Sequence, residues 1–278
     1  MNLLGIDFED WFHPELVQKN LKISEKKPKV VKGIDKILDW LQKRETNATF
    51  FVVGELLESN PEILDKILQN DHEIGFHTMT HTRLDLQNKE KFESEVKTFE
   101  KLTSKKSRGF RAPTFSLNFQ SSWALHVLSQ NNYLYDSSVV PTKTKLYGLP
   151  NAEKNPYKIS SENIEKKSPD SNLVEFPIAT TNFFGKTMPM GGFYLRFLPT
   201  YFIQKEIISR NKMGFPATIY IHSWELTPEF MPKLNLPFVD NFITFHNIDK
   251  AFSKMDKLLE KFQFTSFEKY LSKNNSFN

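Results

Sequence analysis

Asp7, Glu9 and Asp10 crowd three carboxylates into the run Gly5-Ile6-Asp7-Phe8-Glu9-Asp10-Trp11-Phe12-His13. If Leu3–Ile6 is a strand, its alternation points Asp7 and Glu9 to one side, while Asp10 falls in the turn that follows. Crowded carboxylates repel, and a cation among them relieves the repulsion; an acidic helix start after the strand is the plainer reading. His77 and His81 lie four apart in Gly75-Phe76-His77-Thr78-Met79-Thr80-His81-Thr82. On a helical turn the two rings face one way and can share a metal, and neutral imidazole suits Zn²⁺, Co²⁺ or Ni²⁺. Two histidines plus one carboxylate make a three-ligand site with positions left for water and substrate, as catalytic sites require. Arg111 closes another short run before Pro113, where it can pair with a carboxylate and hold it ionised. His222 ends the apolar run Thr218–Ile221 and has the chemistry of an acid or base near neutral pH. Each has a bland alternative: a surface histidine pair, a surface arginine, a satisfied core histidine. Their placement at four separate strand ends is what sets them apart.

The elements behind these positions alternate. Strand-like runs are Leu3–Ile6, Ala48–Val53, Glu73–Phe76, Gly109–Arg111, Val174–Ile178 and Ala217–His222. Helical spacing covers Val30–Lys43, Glu62–Gln69 behind Asn60-Pro61, Lys89–Leu102, Ser121–Ser129, Thr200–Ser209 and Ile248–Phe262, with a short helix near Phe267. Alternating strands and helices imply an α/β fold with a mostly parallel sheet. About seven such units at this length favour a distorted, seven-stranded (β/α) barrel over an open sheet, with chemistry on the C-terminal rim. Residues 1–278 are read as one domain. Pro141–Ser171, rich in Lys, Pro, Ser and Asn, is read as a surface excursion, residues 227–278 as a C-terminal helical extension, and the tail Lys273–Asn278 as frayed.

Composition narrows the classes. The chain of 278 residues fits one barrel-sized domain, and its 26 phenylalanines predict a core rich in rings. A net charge of +4, with lysines spread rather than blocked, argues against a nucleic-acid binder. There is no cysteine, which excludes disulfides, thiolate metal sites and a cysteine nucleophile. No apolar run approaches the roughly 18 residues of a membrane span. Met1 leads straight into Leu3-Leu4-Gly5-Ile6 without a basic region or cleavage site, so a cytoplasmic location is expected.

The ordered set of an Asp-containing strand end, His77-x-x-x-His81, Arg111-Ala112-Pro113 and the late strand ending at His222 resembles the polysaccharide deacetylase superfamily (NodB homology, carbohydrate esterase family 4). Asn47-Ala48-Thr49-Phe50-Phe51-Val52-Val53-Gly54, His72-Glu73-Ile74-Gly75-Phe76-His77 and Phe176-Pro177 carry the same resemblance. Its core covers about residues 1–140 and 172–226. Asp7-Phe8-Glu9-Asp10-Trp11-Phe12, Met190–Arg196 and His222-Ser223-Trp224-Glu225 are similar to a subgroup linked to bacterial exopolysaccharide loci. Two departures stand out. The commonest family version has adjacent aspartates, so the carboxylate for the metal is here either Glu9 or Asp10. Ser223 stands where the subgroup usually has proline, with little expected consequence.

The resemblance implies a NodB-like barrel and a hydrolase that removes N-acetyl groups from amino sugars, with a divalent metal, Zn²⁺ first and Co²⁺ or Ni²⁺ next. It implies metal ligands His77, His81 and Glu9 or Asp10, Asp7 as base, Arg111 as its partner, and His222 as acid. A backbone N–H near Thr114-Phe115 would hold the oxyanion. Asp136 is a weaker candidate for orienting a neighbour, or a turn cap. Trp11, Pro113, Phe115, Tyr194 and Trp224 are candidate walls for a sugar, with core packing the alternative for each ring. The expected partner is an N-acetylated saccharide, without nucleic acid or membrane span, and a homo-oligomer is left open. The rivals are another amide hydrolase on the same fold, resembling allantoinases, and a non-catalytic carbohydrate binder.

Overall fold

Every residue of strand β1 (Asn2–Phe8) is buried, because parallel neighbours flank it on both edges and helices cover it. The computed structural model describes residues 1–21 and 26–274. The remaining strands are β2 (Thr49–Val52), β3 (Glu73–Phe76), β4 (Gly109–Phe110), β5 (Tyr135–Asp136), β6 (Tyr157–Lys158), β7 (Val174–Glu175), β8 (Thr180–Phe183), β9 (Lys186–Pro189), β10 (Thr218–His222) and β11 (Phe264–Thr265). The main sheet runs β10-β1-β2-β3-β4-β5-β7-β6, with β11 added beside β1. From β10 to β7 every pairing is parallel, which makes seven parallel strands; β6 alone is antiparallel. β7 and β10 do not pair as strands. The chain after β7 bridges them instead, Ala179 N–H donating to Thr218 O at 2.9 Å and Ile178 N–H to Val139 O at 2.9 Å. The result is a curled, irregularly closed sheet, a distorted (β/α) barrel of seven parallel strands.

The helices follow the apolar spacing. Ile34–Lys43 buries Ile34, Ile37, Leu38, Trp40 and Leu41 on one stripe. Lys89–Leu102 starts at Asn88, whose side chain accepts the Lys91 N–H, the usual N-cap bond. Asn60 does not cap Glu62–Gln69; its amide turns back to Leu56 O. Among the elements the alternation misses are the hairpin β8–β9 and the helices Gly192–Phe197 and Phe238–Phe245.

One hydrophobic cluster runs from Leu4 to Phe264. The stretch Pro141–Ser171 contributes to it, contrary to the expected surface excursion. Leu149, Ala152, Tyr157, Ile159 and Ile164 are buried in that cluster, and β6 pairs with β7; its polar composition hides these few anchors. Lys273 ends the last helix, Phe267–Lys273; the expected fraying of the tail concerns 275–278, which lie outside the described residues. No helix among the described residues is long and apolar enough to cross a membrane.

Candidate active site

The register of the parallel strands sets Asp7 level with Phe51 on one side and His222 on the other. β4 ends at Phe110, so Arg111 is the next residue on the same rim. Asp7, His77, Arg111 and His222 therefore meet at the C-terminal ends of the strands. Gly5, on the face of β1 shared with Asp7, leaves the space the arginine fills: a Cβ there would stand 2.5 Å from Arg111 Nη1.

Arg111 is fully buried. Its Nη1 donates to Asp7 Oδ1 at 2.6 Å, its Nε to Ser137 O at 3.1 Å and its Nη2 to Ser137 Oγ at 2.9 Å. The guanidinium lies 4.1 Å from the centroid of Phe51. A buried charge held on all sides in this way is a fixed element that positions Asp7.

Glu9 is the carboxylate that meets the histidines. His81 Nε2 is 2.5 Å from Glu9 Oε2, and His77 Nε2 is 4.0 Å from the same oxygen. One ligand atom from each of Glu9, His77 and His81 lies within 4.8 Å of the others. His77 Nδ1–H donates to Arg111 O at 2.7 Å, which leaves Nε2 to face Glu9; such outer contacts fix tautomer and ring orientation in metal sites. Burial would raise Glu9, but His81, His222 and His77 pull it well below the usual carboxylate range. Burial drops His77 to about 4, so its imidazole is neutral at neutral pH and has a lone pair to offer. A nitrogen and oxygen donor set of this kind fits a divalent metal.

Asp10 is turned away from the histidines. Its Oδ1 accepts the Trp11 N–H at 2.9 Å, and its Oδ2 accepts those of Lys29 and Val30 at 2.7 and 2.9 Å. Three backbone donors occupy it, and it pins the loop that precedes the helix Ile34–Lys43. Nor do His77 and His81 sit on a helical turn. Residues 77–83 form a loop with Thr78 and His81 in the left-handed region, φ 57° and 55°. The loop is clamped by Gly54 N–H to Thr78 O, Glu55 N–H to Met79 O, and Met79 N–H to the buried Glu95.

His222 stands one-fifth exposed, its Nε2 3.9 Å from Glu9 Oε1. Its Nδ1 meets Glu225 Oε2 at 2.7 Å, and its ring stacks on Trp224 at 5.0 Å. Burial works against the charged imidazole, yet Glu225 and then Glu9 and Asp7 outweigh it and raise His222 to about 9. Glu225 in turn is gripped by Arg196 Nε at 2.5 Å. Burial opposes its charge, but Arg196 and His222 lower it to about 2. Ser223 Oγ accepts the Glu9 N–H at 3.1 Å and donates to Glu9 O at 2.7 Å, so this serine anchors the backbone of the acidic strand end.

The pocket over these groups is lined by Asp7, Glu9, His77, His81, His222, Phe115 and Trp224, with Tyr147, Phe193, Tyr194 and Tyr220. Trp11 does not reach it; it packs with Phe12, Val17 and Leu236 and donates Nε1–H to Lys27 O. Pro113 is buried beneath, opening a 3₁₀ turn whose next residue, Thr114, adopts φ 53°. The Phe115 N–H is spent on Ala112 O, and Thr114 lines the pocket. Asp136 lies one layer away. Its Oδ1 accepts from Ser138, whose Oγ accepts the Ala112 N–H, and its carboxyl lies beside that of the buried Glu175. Asp136 thus braces the arginine strand from behind and does not line the pocket.

The sequence reading missed Glu225, Arg196, Tyr147 and the pair His13–Glu55. His13 Nδ1 accepts the Asp10 N–H, and its Nε2 is 2.7 Å from Glu55. For Glu225 a signal existed: three residues after His222, it fits a capping box at a helix start.

Residues 27–133 match the family described as polysaccharide deacetylase, and residues 137–272 a domain of unknown function, DUF3473. A peptidoglycan-N-acetylglucosamine deacetylase of Bacillus cereus is 36% identical over 86 residues, 30% of this chain and 40% of that protein. A chitooligosaccharide deacetylase of Bradyrhizobium is 40% identical over 48 residues, 17% of this chain and 22% of the relative. The chain thus spans less than half the length of these curated relatives. Among solved structures, a Mycobacterium smegmatis protein assigned to the polysaccharide deacetylases superposes with a TM-score of 0.62 at 16% identity, covering 99% of this chain and 91% of that one. A carbohydrate esterase family 4 pseudoenzyme from Bacillus anthracis superposes at 0.50 with 13% identity, over 98% of this chain and 65% of that one. At these identities the structural likeness concerns the fold. Residues 27–133 are thus similar to the polysaccharide deacetylases, residues 137–272 continue them as a DUF3473 stretch, and the fold of the whole is shared with a solved structure of that description.

Proposed function

We propose that this protein is a metal-dependent hydrolase that removes acetyl groups from N-acetylated amino sugars of a glycan. The observation that carries the reading is the meeting of Glu9, His77 and His81 beside the Arg111–Asp7 pair and His222 in one pocket. Glu9, His77 and His81 would hold a divalent cation, zinc first and cobalt or nickel next, whose chemistry when bound is Lewis-acid polarisation of the acetamide carbonyl. Asp7, held by Arg111, takes a proton from the attacking water. The backbone N–H of Thr114, a residue of the pocket lining, would serve as the donor to the oxygen on which charge develops. His222, kept protonated by Glu225, gives its proton to the departing amine, which is otherwise a poor leaving group. Phe115, Tyr194 and Trp224 offer ring faces to the apolar faces of the sugar.

The test is acetate release from a panel of N-acetylated glycans, using protein stripped of metal and reloaded with Zn²⁺ or Co²⁺. Metal-dependent release is expected, with Asp7→Asn binding the cation but failing to turn over, and His77→Ala losing both. Full activity in His77→Ala would overturn the assignment.

A further inference from the structure

The hairpin β8–β9 stands apart from the main sheet, and its turn is built against local preference. Phe184 and Gly185 both have positive φ, 47° and 78°, and the Gly185 N–H donates to Asn182 Oδ1 at 3.0 Å. A turn with two left-handed residues favours Asn-Gly, and a bulky side chain is an outlier there. Phe184 nevertheless occupies that position and is 86% exposed, so little of its ring is buried.

From Phe184 a file of rings leads back to the pocket. Phe184 meets Phe183 at 4.7 Å, Phe183 meets Phe197 at 6.3 Å, and Phe197 stacks on Phe193 at 5.6 Å and 21°. Phe193 lines the pocket itself. Phe197 is 39% exposed, and Phe183 and Phe193 are half-buried. Exposed, contiguous aromatic rings mark a binding surface. The file is continuous with the pocket at one end. The hairpin that carries its tip holds one lysine, Lys186, whereas a surface held to an anionic membrane carries a cluster of basic residues.

We infer that this aromatic file in the DUF3473 region binds the sugars that follow the residue being deacetylated, with the exposed rings of Phe184 and Phe197 packing against the apolar side of a pyranose. The inference rests on the deacetylase reading for the identity of the glycan. It makes the enzyme selective for longer chains.

The test uses the full chain and N-acetylglucosamine dimer and hexamer as probes. Affinity is measured by calorimetry with chelator present, so that the probes survive, and kcat/KM with zinc restored. The wild type is expected to prefer the hexamer. Phe184→Asn and Phe197→Ala are each expected to shrink the hexamer-to-dimer affinity ratio roughly three- to tenfold, the range an aromatic contact contributes. Phe184→Asn restores the favoured Asn-Gly turn, so its melting temperature should equal or exceed that of the wild type, separating ring from fold. Phe184-dependent binding of the hexamer without acetate release would sink the deacetylase reading while leaving the file standing. Equal affinity for both probes, an unchanged ratio in both variants, or Phe184-dependent sedimentation with anionic phospholipid vesicles would overturn the inference.

Discussion

Replacing Arg111 by Met removes the guanidinium that the buried Asp7 carboxylate meets at 2.6 Å. Both side chains are almost fully buried, at 0% and 3% exposure, so water cannot take over. Breaking such a pair from one side leaves an uncompensated charge and costs about 3–5 kcal/mol. Ser137 O and Oγ lose their donors in the same change, adding about 1 kcal/mol for each group left bare. The loss of stability should therefore reach at least about 3 kcal/mol, a fall in melting temperature of roughly 6–20 °C. The assay is urea denaturation of metal-free protein, for Arg111→Met, Asp7→Leu and the double variant. Removing both charges should recover much of the loss, because an apolar pair in place of a buried ion pair is often neutral. A coupling of at least about 1.5 kcal/mol is expected between residues in contact. If Arg111→Met unfolds within about 1 kcal/mol of the wild type, or the two changes simply add, then the buried pair does not hold Asp7 in place.

Three further outcomes follow from the same geometry. Gly5→Ala places a methyl 2.5 Å from Arg111 Nη1 and should cost about 1–3 kcal/mol as overpacking, with turnover falling alongside; a silent variant would mean the arginine can shift without consequence. Glu225→Gln removes the charge that raises His222 to about 9. A raised histidine stabilises the fold fully below its ordinary value near 6.5 and loses that contribution as pH rises through about 9. In the variant the alkaline limb of kcat/KM against pH should therefore move down toward the ordinary value, and an unmoved limb would remove Glu225 from the mechanism. Asp136 and Glu175 are both raised by burial beside each other, Asp136 to about 6. A raised carboxyl favours the protonated fold, so the wild type should lose stability as pH climbs through that value. Glu175→Gln supplies a permanent donor and should flatten the dependence between about pH 5 and about pH 8; urea midpoints that keep the wild-type slope would show that the pair does not share a proton.

Much of the molecule could be read from the chain. Apolar runs and helical stripes are local, so Glu73–Phe76 and Lys89–Leu102 fall where spacing puts them. A parallel α/β order then sends Asp7, His77, Arg111 and His222 to one rim. The choice between Glu9 and Asp10 was open in the sequence because it depends on where the strand stops. That is decided by the backbone of Lys29 and Val30, whose N–H groups, 19 and 20 residues on, claim Asp10. Trp11, an expected sugar wall, is drawn into a small cluster with Leu236, more than two hundred residues away. The polar stretch Pro141–Ser171 reads as surface by composition, yet it supplies Tyr147 to the pocket and Ile159 to the core. Arg196 and Glu225 look like ordinary charges in separate helices until the fold brings them together behind His222. Residue type and local period fix which groups could do chemistry. Which of them face one another is set by long-range register and loop closure, and those contacts exist only once the barrel has curled.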